Sequence, residues 1–416
     1  MGMAGLPKTS MIYFDHNATA PMLPEARQAW LEAAEKFIGN PSSPHRIGSR
    51  ADAALSDARE RLASILACDA LDIVWTSGAT EASNMVLHHF AQLAPAQSEA
   101  WISAIEHPCV LETAKSYFSK RLLLIPTHRS GVINIHWIRE RLAHSRPAFI
   151  ALMAANNETG VLQPWREALA LCREYSVPLF CDATQWIGKL PATGLGECDF
   201  VSGSAHKFGG PKGVGFLKCP AKGRVEPLLY GGKQEEGRRA GTENVAGVLS
   251  MVAALEIREV TMRRTREDGD LKMENRGLTQ SSSSSSAFSC SPVFGSSALT
   301  QRLNWREQFE RQLLSSLPGA AIIGAEAPRL WNTISALMPE ADCQQRWVVK
   351  LDKLGFAVST GSACASGREE PSHVLRAMGH STADTSRVLR FSSGWETREE
   401  DWDALLAALA KLSRRS

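Results

Sequence analysis

The sequence predicts an α/β protein with a large domain on a mostly parallel sheet and a smaller α+β domain beside it. Three observations carry that expectation. Strand-like and helical apolar patterns alternate through the first half of the chain, the pattern changes character after Thr242, and 416 residues exceed what one ordinary core encloses.

From residue 24 to about residue 90 the apolar spacing is helical. It is broken by the turn-rich stretch 39–43 and by a short apolar run, 72–75, that leads into Thr76-Ser77-Gly78. That order reads as strand, turn, helix. Residues 100–104 and 148–153 read as strands, 164–175 as a helix, and 178–181 and 200–202 as two further strands. Strands alternating with helices imply crossover connections, which cover both faces of a parallel sheet. Beyond Thr242, residues 244–264 have the pattern of a long helix. A charged stretch and then a Ser-rich segment with six consecutive serines follow, too poor in apolar groups to order themselves. Residues 266–297 are therefore expected to be a flexible insert. Helical spacing resumes over 299–317, strand-like pieces fall at 321–324 and 332–337, and 398–412 reads as a closing helix. The expected division is 21–261 for the large domain, with 1–20 and 262–416 forming the smaller one.

Composition narrows the function class. Lys and Arg total 46 against 44 Asp and Glu, so no strong field draws the protein onto nucleic acid or an anionic membrane. The nine cysteines show no C-x-x-C pair and no zinc-finger spacing, which argues against a disulfide framework or a structural metal. They read as reduced thiols in the cytoplasm. No segment approaches the roughly 20 apolar residues of a membrane span, and the Met1-Gly2 start lacks the Ser or Thr that myristoylation expects at position 6, where Leu6 stands. An enzyme acting on a small molecule fits this balance.

Asp182 lies just past the apolar run 177–181, and Lys207 follows 25 residues later, just past the run 200–202. In a parallel sheet both would emerge at carboxyl-terminal strand ends, where ligands of such folds gather. Singly, such an Asp is ordinarily a helix cap and such a Lys a solvated loop residue. Together they match what pyridoxal 5'-phosphate (PLP) requires: an amine that bonds to its aldehyde, and a carboxylate that keeps its pyridine nitrogen protonated. The stretch from Thr76 through Glu81, a small-residue turn entering a helix, leaves backbone N–H groups suited to a phosphate, although Ser77 or Thr80 capping the helix would give the same pattern. No G-x-G-x-x-G and no Walker lysine motif is present, so nucleotide phosphate is disfavoured. His107, in Glu106-His107-Pro108, is placed after a strand to stack over a planar cofactor or to move protons.

These residues resemble the NifS/IscS-like cysteine desulfurases, within the class V aminotransferase family of PLP enzymes. The likeness runs from the Tyr13-Phe14-Asp15-His16-Asn17-Ala18-Thr19 segment to Leu389-Arg390-Phe391-Ser392. Between them lie Thr76 to Glu81, Asn156-Asn157-Glu158, Asp182-Ala183-Thr184-Gln185, Ser204-Ala205-His206-Lys207, Arg239-Ala240-Gly241-Thr242 and Ser362-Ala363-Cys364. The resemblance implies the PLP-dependent transferase fold, aspartate aminotransferase-like and of fold type I. It implies that Lys207 holds PLP, Asp182 pairs with its ring nitrogen, Gln185 bonds near its phenolic oxygen and His107 lies over the ring. Ala79, Thr80, Ser204 and His206 would hold the phosphate, with Thr242 contributed across a homodimer interface. Arg390 would take the carboxylate of L-cysteine, with Asn157 close to both substrate and cofactor. Cys364, in a Gly- and Ser-rich run, would receive the sulfur as a persulfide, through which it could contact an iron-sulfur cluster; no other metal is expected. A sulfur acceptor such as an iron-sulfur scaffold protein is the implied partner, without nucleic acid or membrane. The Ser-rich insert has no counterpart in the family, and the chain ends without the extension some relatives use to dock a scaffold. A selenocysteine lyase or an aminotransferase of the same fold would share Lys207 and Asp182 without depending on Cys364, and a PLP-fold binding protein would need no turnover.

Overall fold

The computed structural model describes residues 11–221, 225–263, 297–340, 344–360 and 371–413. The Ser-rich stretch up to residue 296 and Cys364 lie outside the described residues.

Strand β1 (Ile12–Tyr13) opens the described chain, followed by helices α1 (Pro24–Lys36) and α2 (Arg46–Leu66). Then come β2 (Ile73–Thr76), α3 (Ala79–Leu93), β3 (Ala100–Ser103), α4 (Pro108–Phe118), β4 (Leu122–Ile125), α5 (Ile135–Leu142) and β5 (Phe149–Ala151). The large unit continues with α6 (Trp165–Glu174), β6 (Leu179–Asp182), β7 (Phe200–Ser204), β8 (Gly215–Lys218) and the long α7 (Val245–Arg263). These strands form one seven-stranded sheet in the order β2-β8-β7-β6-β5-β3-β4, in which β8 alone runs against its neighbours. The sheet is therefore mostly parallel, as the alternating pattern indicates. Its order reverses between β3 and β5, so the loops leaving those strands diverge and open a crevice at the carboxyl-terminal edge.

Period-2 alternation sorts each strand's side chains into two cores. Val74, Ile102, Ala151, Phe180 and Phe200 face one core with α3 and α4, while Trp75, Trp101, Ile150, Cys181 and Val201 face the other with α2 and α7. Strands β5, β6 and β7 are buried at every position, as a sheet covered on both faces demands.

The remainder contains α8 (Ser297–Ser316), β9 (Ala321–Ile322), β10 (Thr333–Leu337), α9 (Gln344–Lys353), β11 (Phe356–Ala357) and β12 (Ser359–Thr360). It closes with α10 (His373–Ala377), α11 (Thr382–Thr385), β13 (Val388–Ser392) and α12 (Glu399–Ser413). An antiparallel sheet, β12-β13-β10-β9, is packed by a third core in which Phe14 packs at a tilt against Trp402 with ring centroids 4.6 Å apart. β1 pairs in parallel with β11, and Asp15 bridges to Ser392, so the start of the described chain packs with its end.

The sequence-predicted elements hold to within a few residues, and strands β4, β8 and β13 are not among those predicted. β4 is a half-exposed edge strand and β8 follows a Gly- and Pro-rich turn, so neither stands out as a buried strand. β13 carries Arg390 in its centre, which interrupts the apolar pattern although all five residues are buried. α8 begins at Ser297, the last residue of the expected insert. Among the described residues no helix is long and apolar enough to cross a membrane.

Candidate active site

β6 ends at Asp182, whose Oδ1 accepts hydrogen bonds from Thr184 N and Ser202 Oγ, both at 3.0 Å. The neighbouring strand β7 ends at Ser204 and passes into one tight turn, Ala205–Lys207, that carries the lysine. Lys207 Nζ donates to the carbonyl oxygens of Asn17 at 2.7 Å and Ala18 at 2.9 Å. Asp182 and Lys207 line a single cavity of about 520 Å³, together with Ala79, Thr80, His107, Asn157, Gln185, Ser204 and His206. Nine residues singled out from the sequence thus meet in one place.

The phosphate-type end of the cavity is built by the entry to α3. Gly78 precedes the helix with φ +152° and provides no side-chain cap, and a Cβ there would come within 3.4 Å of Ser204 Oγ. The first N–H groups of α3 therefore stay available beside Ser77, Ala79 and Thr80, with the positive end of the helix dipole behind them. Neither Ser77 nor Thr80 acts as the capping side chain. Glu81 reaches back to Ser77 N at 2.8 Å and is held in turn by Arg239 at 2.8 Å.

His107 is the N-cap of α4. Its Nδ1 accepts from Cys109 N at 3.2 Å and lies 3.0 Å from Cys109 Sγ, so the neutral ring carries its proton on Nε2. Burial lowers its pKa, opposed by Asp182. Burial pushes the Cys109 thiol up to about 12, which keeps it a thiol. His206 bonds Thr19 Oγ1 through Nδ1 at 3.2 Å, and burial, followed by the charge of Lys207, brings it down to about 4. It enters the site as a neutral ring. Behind the cavity Glu106 is fully buried; one oxygen accepts from Met153 N at 2.6 Å, and among the described residues the other has no hydrogen-bond partner. Burial, reinforced by Asp182, raises its carboxyl to about 8.

Two of the expected residues lie apart from this cavity. Thr242 is exposed and lines an adjoining cavity of about 120 Å³, which shares Ser77 and Gly213 with the large one. Arg390 is buried on β13, where its fork is engaged by Asp15 Oδ1 at 2.7 Å and Asn157 O at 3.0 Å, and among the described residues Nε has no hydrogen-bond partner. Sequence reasoning assigned no role to Asn17, although its motif was noted, and missed Lys189 and Lys212. Asn17 acts through its backbone carbonyl, which side-chain chemistry does not signal. Lys189 sits among apolar neighbours in Trp186-Ile187-Gly188-Lys189-Leu190, and a buried lysine there is the one signal that could have marked it.

The family model for class-V aminotransferases matches residues 12–278. A cysteine desulfurase of Enterobacter agglomerans is 34% identical over 394 residues, covering 94% of this chain and 89% of the relative. The chain belongs to the class-V aminotransferase family, among the NifS/IscS-like cysteine desulfurases. A solved NifS-like protein superposes with a TM-score of 0.81 at 28% identity, over 98% of this chain and all of that one. SspA, solved in complex with cysteine, aligns with a TM-score of 0.72 at 25% identity, over 91% of this chain and 98% of its own. The fold is the PLP-dependent transferase fold, and the family depends on PLP. The residues present fit that cofactor. A carboxylate held by two donors, an amine on the next strand and an uncapped helix N-terminus converge on one cavity of suitable size.

Proposed function

We infer that this protein is a PLP-dependent cysteine desulfurase, which removes sulfur from L-cysteine, releases L-alanine and leaves a persulfide on Cys364. The observation that carries this reading is the convergence of Lys207 and Asp182 on one cavity in a chain of this family. When bound, PLP supplies an electron sink for the substrate's α-carbon.

Lys207 would hold the cofactor, and its Nζ would be the base that takes the substrate's α-proton. Asp182 would pair with the ring nitrogen, and its two donors fix the carboxylate in place. The helix entry at Ala79 and Thr80, with Ser204 and His206, holds the phosphate. His107, proton on Nε2, lines the same cavity and would serve there as the neutral acid-base group. Arg390 receives the substrate carboxylate with Asn157 beside it, exchanging part of its contact with Asp15 for that of the ligand.

Cys364 attacks the substrate sulfur as thiolate. The sulfur–sulfur bond forms as the carbon–sulfur bond breaks, the bonding pair stays with carbon, and protonation completes alanine. Residues 21–261 would then form the cofactor-binding domain, with 1–20 and 262–416 carrying Arg390 and Cys364. The exposure of Thr242 at an adjoining cavity supports a homodimer in which it reaches a partner's site. The sulfur would pass to an acceptor protein such as an iron-sulfur scaffold, in the cytoplasm.

The test is anaerobic incubation of PLP-loaded protein with L-cysteine, followed by mass spectrometry of the peptide containing Cys364. One added sulfur with stoichiometric alanine is expected. Keto-acid production with an unmodified Cys364 would reassign the protein to transamination, and Cys364→Ser is expected to keep the cofactor but lose the persulfide.

A further inference from the structure

Lys189 is 4% exposed, and among the described residues its amine donates to Gln185 Oε1. The charged groups that act on it, Lys207 and Arg390, are both cations. Burial, followed by these two charges, holds the amine well below the ordinary lysine range. A lysine buried against an amide and facing cations is costly for stability, and such groups concentrate where function requires them.

The geometry shows what it orders. Gln185 Nε2 donates to the carbonyl oxygen of Asn17 at 3.0 Å, and that same oxygen accepts from Lys207 Nζ at 2.7 Å. A backbone carbonyl only accepts, so the nitrogen of the Gln185 amide must face Asn17 and its oxygen must face Lys189. Nε2 carries two hydrogens, and Asn17 takes one. The second remains for the cavity that Gln185 lines with Lys207.

We propose that Lys189 is a positioning residue, which locks the Gln185 amide so that an N–H, and not the carbonyl oxygen, is presented to the phenolic oxygen of the cofactor held by Lys207. This rests on the PLP reading above. An N–H at that oxygen stabilises its anionic form and makes the nitrogen of Lys207 joined to the cofactor easier to deprotonate. Losing the lock therefore raises the pH at which that nitrogen titrates.

The measurement is a pH titration of the visible absorbance of substrate-free, PLP-loaded enzyme. Among the groups near Lys189, Lys207 is the one being observed. Arg390 and Arg258 carry guanidinium groups that stay charged, and His16, held down to about 4 by burial, lies below the range scanned. Lys189→Met is expected to move the midpoint up by roughly 0.5–1 unit. Lys189→Gln, which keeps a donor toward Gln185 without the charge, is expected to restore it. In a Gln185→Leu background, Lys189→Met should add no further shift. A Lys189→Met enzyme that titrates like the parent, or a shift that persists without Gln185, overturns the proposal. If the Met variant does not fold, Gln185→Leu alone carries the test, and an unmoved midpoint overturns it. A parent protein that binds no PLP defeats the cofactor reading itself, an outcome distinct from PLP-bound variants that fail to shift.

Discussion

The two walls of the cavity are built by different means. One wall is the carboxyl edge of the large sheet, where Asp182 and Lys207 leave adjacent strands 25 residues apart in sequence. The other presents Ala18 and Thr19 near the start of the chain and Asn157 after β5, and it is tied to Asp15 and to Arg390 on β13 of the small sheet, which stand outside the cavity, through the bond from Arg390 to the Asn157 carbonyl. The Arg390–Asp15 pair joins residues 375 positions apart. The first wall follows from strand direction and is as rigid as the sheet. The second exists only while the small antiparallel sheet and the chain's start are docked on the large one, so stability and substrate binding are coupled there.

Breaking the strand-end wall should have the largest effect. Lys207→Ala is expected to lower turnover by at least ~10³-fold and to abolish the absorbance change on adding L-cysteine, with the fold intact by circular dichroism. The wall's long-range counterpart should respond differently. Asp15→Ala leaves the nearly buried Arg390 without its ion-pair partner, and a loss of about 3 kcal/mol in urea unfolding is expected, with KM for L-cysteine raised more than kcat is lowered. Equal losses in kcat and KM terms, with unchanged stability, would show that the second wall does not depend on docking.

A third prediction concerns the acid behind the strand-end wall. Glu106 has a folded-state pKa of about 8 against an ordinary value of 4.5, so the folded protein binds its proton more tightly than the unfolded chain. Stability from this group is therefore full below about pH 4.5 and lost as pH rises toward 8. Glu106→Gln should flatten that slope and raise stability at pH 8 by roughly 4 kcal/mol, with almost no gain at pH 4.5. Chemical denaturation at the two pH values checks it.

The smallest effect is expected on the docked side. Ser372 Oγ donates to Glu158 Oε2 at 2.5 Å, and its oxygen accepts from Leu375 N at 3.1 Å, which caps α10. Ser372→Ala should cost about 1 kcal/mol and push the Glu158 carboxyl, raised to about 7 by burial, higher still. A pH-dependent midpoint for Ser372→Ala that parallels the parent would remove Glu158 from this account.

The large sheet and its strand-end wall were legible in the sequence because they follow from short-range rules. Alternating apolar runs mark buried strands, a run's end marks where a ligand-facing residue emerges, and a small-residue turn marks a helix entry. Those rules located Asp182, Lys207 and the Thr76 to Glu81 turn, and the ordered motifs attached a chemistry to them. They say nothing about which distant segment lies opposite. That Asn17 acts through its carbonyl, that Asp15 occupies the fork of Arg390, that Lys189 is buried and that Thr242 lines a different cavity were decided by tertiary packing. The physical reason is separation along the chain: strand ends are fixed by local hydrogen bonding and periodicity, whereas contacts across 140 to 375 residues depend on how two separately packed sheets meet.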